Sequence, residues 1–410
     1  MSETIDTLII GAGQAGLSLS YYLTQQRRSH VLLEQAAQLA DAWRNQRWDS
    51  FTLVTPNWAL QLPGCFYQGE DADGFMPRDE FVKYLEFYVA SFNAPIRFDT
   101  RAIAVDQVDS SYQVPTSQGD YLAANVVIAS GFLQQPRIPP ISVKLSPFLS
   151  QLHSSQYRNP AQLLPGAVLV VGSAQSGCQI AEELYQSGRQ VYLSIGGSSG
   201  RAPRRYRGKD TFWWFAQSGS FDRTVDQLTS PEERFGTSPH LTGKDGGHSL
   251  NLHKFVREGV RLLGRITGGQ ADRINFALDL QDSLLKIDQY ETNVVKEIDE
   301  YIAKNDIPAP EESLEVWTDG YKSPDTPELD LAAAGISTLI WATGYRYDFS
   351  WVHLPVFNEQ GFPIHQHGAT DFPGLYFLGL PWQNTSKSGT LFGVDEDAAY
   401  IASHLAYQRA

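Results

Sequence analysis

The sequence predicts an α/β fold built on two parallel-sheet units. Two observations carry this. A strand, tight turn, helix and second strand open the chain in "DTLII", "GAGQAG", "AGLSLSYYLTQQR" and "HVLLE". The same order returns at "AVLVVG", "SGCQIAEELYQSG" and "RQVYLSI". Short apolar runs bounded by glycine read as buried strands, and strands alternating with helices imply parallel pairing.

The elements follow in order. After the first βαβ unit, strand-like runs appear near "ASFNAPIRFDTRAIAVDQ" and "YLAANVVIASG". Residues 134–147, "QQPRIPPISVKLSP", read as a linker, because proline cannot sit in a central strand and stiffens a connection. The second βαβ unit comes next. Over 274–302, Leu280, Leu284, Ile287, Val294, Ile298 and Tyr301 recur at helical spacing, and "KNDIPAPEE" then stops the helix. The runs "ISTLIWATGY" and "PGLYFLGLPW" add two more buried strands ending in glycine.

The glycine turns point to chemistry. Gly11 permits the tight turn, Gly13 lets backbone approach a pyrophosphate, and Gly16 allows the helix to pack closely on the strand. Glu34 ends the second strand, where a carboxylate accepts hydrogen bonds from a ribose 2′-hydroxyl. The second turn has Gly172, Ala174 and Gly177, but the position matching Glu34 is Ile195, and no acid appears from 191 to 209. That stretch instead carries Ser194, Ser198, Ser199, Arg201, Arg204, Arg205 and Arg207. Guanidinium groups there suit a 2′-phosphate. The first turn is therefore expected to hold FAD and the second NADPH. The expected FAD contacts are Gly11, Gly13, Gln14, Ala15, Gly16, Glu34 and Gln35. The expected NADPH contacts are Gly172, Ser173, Ala174, Gln175, Ser176 and Gly177, with Arg201, Arg204 and Arg205. The fold class is α/β, with two Rossmann-like dinucleotide-binding domains and the NADPH domain inserted into the FAD domain. The expected boundaries are 1–160 for the first part of the FAD domain, 161–330 for the NADPH domain with a helical insertion at about 270–310, and 331–410 for the rest of the FAD domain.

Composition excludes several classes. The 410 residues are 42% hydrophobic and 19% charged, as in a globular protein, and the net charge of −14 argues against nucleic acid or an anionic membrane as partner. Cys65 and Cys178 form no CxxC pair. The first residues lack a basic segment and a long apolar run, so a cytoplasmic protein is expected. The scattered histidines, including His240, His248, His253, His365 and His367, lack the spacing of a metal site, and none is expected.

These residues resemble the class B flavin-dependent monooxygenases, in their bacterial flavin-containing monooxygenase branch, whose members are often called flavoproteins linked to potassium transport. The resemblance covers nearly the whole chain and rests on "GAGQAG" with Glu34, "DAWRNQRWDSFTLVTP", "HSSQYRNP", "GSAQSG", "WATGYRYDFSWV" and "GLYFLGLPW". It implies that Trp43 and Arg44 lie along the FAD, that the main chain near Val105 meets the adenine, and that Ala129, Gly131 and Gly379 flank the flavin nucleotide. The family fingerprint FxGxxxHxxxY appears as "PFLSQLHSSQY", which keeps His153 and Tyr157 but has Pro147 and Leu149 in place of Phe and Gly. The family's Asn beside the flavin falls one place late, as Asn57 in "LVTPN", and is the catalytic candidate. Trp58, Trp382, Gln383 and Asn384 are the other candidates for the pocket.

The activity implied is NADPH-dependent oxygen transfer from O₂ to a small nitrogen- or sulfur-containing nucleophile through a C4a-hydroperoxyflavin. The partners are then a small-molecule substrate and O₂, and the resemblance allows a homodimer. A Baeyer–Villiger oxygenase acting on ketones and a nucleotide-sensing flavoprotein with NADPH oxidase side activity stand as alternatives. A disulfide reductase would need a cysteine pair that Cys65 and Cys178 do not provide.

Overall fold

The computed structural model describes residues 2–196, 200–236 and 239–407. Strand β1 (Glu3–Ile10), helix α1 (Gln14–Gln25) and strand β2 (His30–Leu33) form the first βαβ unit. Helix α2 (Arg78–Phe92) and strands β3 (Ile96–Arg97), β4 (Asp106–Val108), β5 (Ser111–Thr116) and β6 (Gly119–Ile128) follow. Next come β7 (Ser150–His153), β8 (Ala167–Val171), helix α3 (Gln175–Gln186), β9 (Val191–Ser194) and β10 (Arg261–Leu263). The long helix α4 (Leu280–Lys304), strands β11 (Ile336–Trp341) and β12 (Leu375–Phe377) and helix α5 (Val394–Tyr407) complete the order used here.

The first sheet runs β3-β2-β1-β6-β5-β4, with β12 also beside β6. Strands β3, β2, β1, β6 and β12 pair in parallel, while β4 and β5 are antiparallel. Both faces of β1 are covered, which is why its run is continuously apolar. Ile9 packs toward α1, α2 and α5, whereas Leu8 and Ile10 face a second cluster containing Val105 and Phe377.

The second sheet, β7-β11-β8-β9-β10, is wholly parallel. Val168 and Val170 pack against Ile180 and Leu184 of α3, and Leu169 and Val171 against Ile274 and Phe276 on the opposite face. Sheet membership moves the expected boundaries. Ser150–His153 and Ile336–Trp341, assigned from sequence to the flanking parts, are strands of this second sheet. An apolar strand carries no mark of which parallel sheet will accept it, so this depends on register with β8.

The helix expected over 274–302 begins at Leu280. Residues Arg273–Phe276 form instead the middle strand of a three-stranded antiparallel sheet, between Ile266–Gln270 and Glu328–Asp330. Ile274 and Phe276 alternate into the core with a period of two, which outweighs the helical reading there. Helix α4 buries Leu280, Leu284 and Ile287 in the second unit's core. Its distal half buries Val294 and Ile298 against Tyr206 and Trp214. The proline-rich stretch contributes a two-residue strand, Gln135–Pro136, paired with Tyr345–Arg346, and a 3₁₀ turn over Pro140–Lys144.

Candidate cofactor-binding site

The first glycine turn is built by close backbone packing. Gly11 has φ +111°, and a Cβ there would run into the Ala129 carbonyl. A Cβ on Gly16 would run into the Gly11 carbonyl. Gly13 differs: its Cβ position is open, and it is the N-cap of α1, with no side chain capping the helix and no acid in the first turn. An uncapped helix N-terminus beside open space fits an anion. Glu34 braces the turn, accepting the Ala12 N–H at 3.2 Å and the Ala36 N–H at 2.9 Å, and remains partly exposed beside exposed Gln35. The Gln14 side chain donates to the Gly389 carbonyl at 2.8 Å. Gly379, at φ +85°, lies so close to Ala15 that a Cβ would stand 2.8 Å from the alanine methyl. Gly11, Ala15, Ala129 and Gly379 thus converge. Gly131, at φ +79°, faces open space at the end of the β6 segment.

Two expected flavin contacts are otherwise engaged. The Val105 N–H donates to Trp351 at 2.9 Å, and its carbonyl accepts from His353 at 3.0 Å. Val105 itself is thus tied on both sides to residues 351–353. Arg44 pairs with Glu86 and donates to the Leu39 carbonyl, so its guanidinium is turned toward α2. Trp43 packs edge-on against Phe81 at 4.7 Å.

The second turn repeats the first. Gly172 has φ +103°, with the Ala342 carbonyl where a Cβ would go, and a Cβ on Gly177 would meet the Gly172 carbonyl. Ala174 takes the place of Gly13 as N-cap of α3, again with no side-chain cap and no first-turn acid. Gln175 donates to the Pro239 carbonyl at 3.3 Å, and Ser176 is exposed. Ser173 is buried with an unpaired Oγ. Nearby His240 is fully buried against the Ser173 main chain, and burial holds it down at about 4. In the sequence this histidine lacks metal-ligand spacing and carries no other signal. Its proximity to this turn is a tertiary fact.

The arginine run is mostly internal. Arg201 is buried and paired with Asp288 at 2.9 Å and Glu291 at 2.6 Å, both on α4. Arg204 is buried in a two-pronged pair with Asp210, at 2.7 Å each, and donates to the Val54 carbonyl at 2.9 Å. Neither presents a free guanidinium to a 2′-phosphate, because carboxylates invisible as partners in the sequence reach them first. Arg207 pairs with Asp299 at 3.0 Å. Arg205 is exposed. Ser198 and Ser199 lie outside the described residues.

Asn57 opens a 3₁₀ turn and is buried. Its Nδ2 donates to the Asp71 carbonyl at 2.9 Å, which leaves Oδ1 unpaired. The neighbouring Trp58 Nε1 is unpaired too, and its ring meets Phe392 edge-on at 5.6 Å. Gln383 has a structural task, accepting the Gly379 N–H at 3.0 Å. A strap from the second unit lies over this loop: Val225 donates to the Asn384 carbonyl at 3.0 Å, Lys387 pairs with Asp222 at 2.8 Å, and Arg223 stands 5.4 Å from the Trp382 ring.

The fingerprint residues brace the second unit. His153 Nε2 lies 3.0 Å from the Gly344 carbonyl, and its Nδ1 accepts the Ser155 N–H at 3.1 Å, so the hydrogen on Nε2 is the one donated. Tyr157 donates to Glu183 of α3 at 2.7 Å, and Ser50 donates to the other oxygen of that carboxylate at 2.6 Å. Among the described residues no cluster of His, Cys, Asp or Glu could hold a metal ion.

A glycine-opened helix follows a parallel strand in each of the two sheets, an arrangement suited to two dinucleotides, and the comparisons with known proteins put it in the class of flavin-dependent oxidoreductases. The family model described as pyridine nucleotide-disulphide oxidoreductase matches residues 8–207. A protein of Geobacillus kaustophilus named "Uncharacterized oxidoreductase CzcO-like" is 35% identical over 411 residues, covering 99% of both chains. The solved flavin-containing monooxygenase from Stenotrophomonas maltophilia has the same fold, with a TM-score of 0.67, 19% identity and full coverage of both chains. The OTEMO complex with FAD and NADP aligns with a TM-score of 0.59 at 16% identity, covering all of this chain and 87% of that one. The chain belongs to the family of CzcO-like oxidoreductases, of the class B flavin-dependent monooxygenase type. No helix among the described residues is long and apolar enough to cross a membrane.

Proposed function

We propose that the protein is an FAD-containing, NADPH-dependent monooxygenase that transfers one oxygen atom from O₂ to a small nitrogen- or sulfur-containing nucleophile. The observation that carries this reading is the duplicated turn: two uncapped helix N-termini, each free of first-turn acids and each closed behind by a glycine that cannot accept a Cβ. FAD would lie at Gly11, Gly13, Gln14, Ala15 and Gly16, with Glu34 toward its ribose and Ala129, Gly131 and Gly379 beside it. NADPH would lie at 172–177, with exposed Arg205 as the remaining candidate of the expected three for the 2′-phosphate. When bound, the pair supplies hydride transfer and oxygen activation.

This chain's own residues do the rest. The helix N-termini hold the pyrophosphates. His153 ties the end of β7 to the segment that follows β11, and Tyr157 ties the chain beyond β7 to α3, which holds the frame of the second turn. With FAD bound, the strap over residues 382–387 and the aromatic contact of Trp58 with Phe392 would serve to keep water from the flavin. Asn57 Oδ1, buried and unpaired, is an acceptor available to substrate or cofactor.

The test is a rapid-mixing experiment on the purified holoprotein. NADPH should bleach the flavin, air should restore it, and an amine or sulfide should return as its N- or S-oxide. Restoration that yields only hydrogen peroxide, for every nucleophile tried, would refute oxygen transfer.

A further inference from the structure

Arg47 is a partly buried guanidinium with no carboxylate in ion-pair range among the described residues. Its Nη1 donates to the Gln46 carbonyl at 2.9 Å. Its guanidinium carbon lies 5.3 Å from the Trp43 ring centre and 5.6 Å from that of Phe51. The Tyr345 hydroxyl is its other polar neighbour, and burial lowers its pKa. Two further guanidinium groups donate to the Arg47 carbonyl, Arg158 at 3.5 Å and Arg78 at 3.4 Å, and Arg78 is itself paired with Asp49 and Asp79. A guanidinium drawn out of water needs an anion to offset lost hydration.

Its place in the fold says which anion. Trp43 packs on the first unit's core, and Trp48 is buried in the second unit's core, so residues 43–48 cross the seam. Tyr345 follows Gly344 just beyond the C-terminal end of β11, and the carbonyl of Ala342, the first residue after that strand, closes the Gly172 turn. Parallel sheets bind dinucleotides outside the C-terminal ends of their strands. Arg47 therefore reaches that crevice from the opposite unit. Phosphate is the anion that its planar fork matches in two-pronged geometry.

We propose that Arg47 is a ligand for the pyrophosphate of the nicotinamide dinucleotide, supplied across the seam by the flavin unit. This rests on the second turn being the nucleotide site. It separates two tasks: Arg47 recognises the pyrophosphate shared by NADPH and NADH, and any 2′-phosphate selectivity lies elsewhere, near Arg205.

Calorimetric titration of the oxidised holoprotein with NADP⁺ and with NAD⁺ tests this without turnover. Arg47→Gln should weaken both nucleotides by the same factor, about 10- to 100-fold for a charge-assisted pair, with FAD content unchanged. Arg47→Lys should recover part of the loss, and its retained FAD absorbance shows that the fold survives substitution. Weakening of NADP⁺ alone, loss of FAD from the variants, or unchanged constants would each overturn the proposal. A wild-type protein that binds neither nucleotide overturns the reading of the second turn along with it, whereas unchanged constants in the variants overturn this inference alone.

Discussion

Replacing Arg204 by alanine separates two roles for the arginine run. The structure buries Arg204 against Asp210, both almost wholly shielded, with two charge-assisted hydrogen bonds of 2.7 Å and a third bond to the Val54 carbonyl. Its guanidinium also lies 4.3 Å from the Phe75 ring centre. Removing one partner of a buried ion pair costs about 3–5 kcal/mol, because the other charge is left uncompensated. Asp210 keeps one hydrogen bond, from the Phe212 N–H at 2.8 Å, which it caps at the start of the next helix. That places the loss near the lower end, about 3 kcal/mol. With an unfolding entropy of about 2.1 cal/mol/K per residue, a chain of this length should lose roughly 3–4 °C in melting temperature. Affinity for NADPH relative to NADH should not change. Differential scanning calorimetry and paired nucleotide titrations measure the two quantities. A melting temperature within 1 °C of wild type, together with a tenfold loss of NADPH affinity that NADH does not share, would show that Arg204 meets the 2′-phosphate and that the buried pair is misjudged.

Other outcomes follow from the same geometry. Gly13→Ala should fold normally, since its Cβ enters open space, yet hold FAD more weakly, whereas Gly16→Ala should destabilise the apoprotein by pushing on the Gly11 carbonyl; FAD titration and apoprotein melting distinguish them. Asp397 lies buried in the first turns of α5, and burial, aided by Glu396 and opposed by Lys387, pushes its carboxyl up to about 7. The native state then holds a proton that the unfolded chain releases near 3.8, so this group's contribution to stability falls as pH rises from about 4 through 7. Asp397→Asn should gain stability relative to wild type between pH 5 and pH 8, at about 1.4 kcal/mol per unit of pKa shift removed; parallel urea midpoints for the two proteins across that range would refute this. Cys65 and Cys178 are unpaired, and Cys178 is fully buried with its thiol pushed up by desolvation. The variant carrying Cys65→Ser and Cys178→Ser should therefore keep NADPH-driven oxidation of the amine or sulfide, and loss of that turnover in a folded protein whose flavin NADPH still bleaches would revive a dithiol mechanism.

Local chemistry made much of the site legible. Both βαβ units form where their patterns lie, because a strand, a glycine turn and an amphipathic helix are specified within about 30 residues. The partners of charged side chains were not legible. Arg201 and Arg204 looked like phosphate ligands because their carboxylates are distant or inconspicuous: Glu291 is 90 positions from Arg201, and Asp210 is an ordinary loop residue until the chain turns. Arg44 is the arginine beside Trp43, yet Glu86 claims it, and Arg47, three residues on, has no acid in ion-pair range among the described residues. The spacing "WRNQRW" holds both candidates and does not choose between them.

The sequence by itself determined the two glycine turns, the helices they open and the apolar strands behind them, because those depend on steric limits at single residues and on periodicity over one element. Tertiary structure alone decided which sheet received Ile336–Trp341, which arginines were neutralised, and which polar atoms, at Asn57 and Ser173, were buried without partners among the described residues. The reason is that parallel register, ion pairing and desolvation depend on groups far apart in the chain, and their energies arise only when folding brings those groups together and removes the water between them.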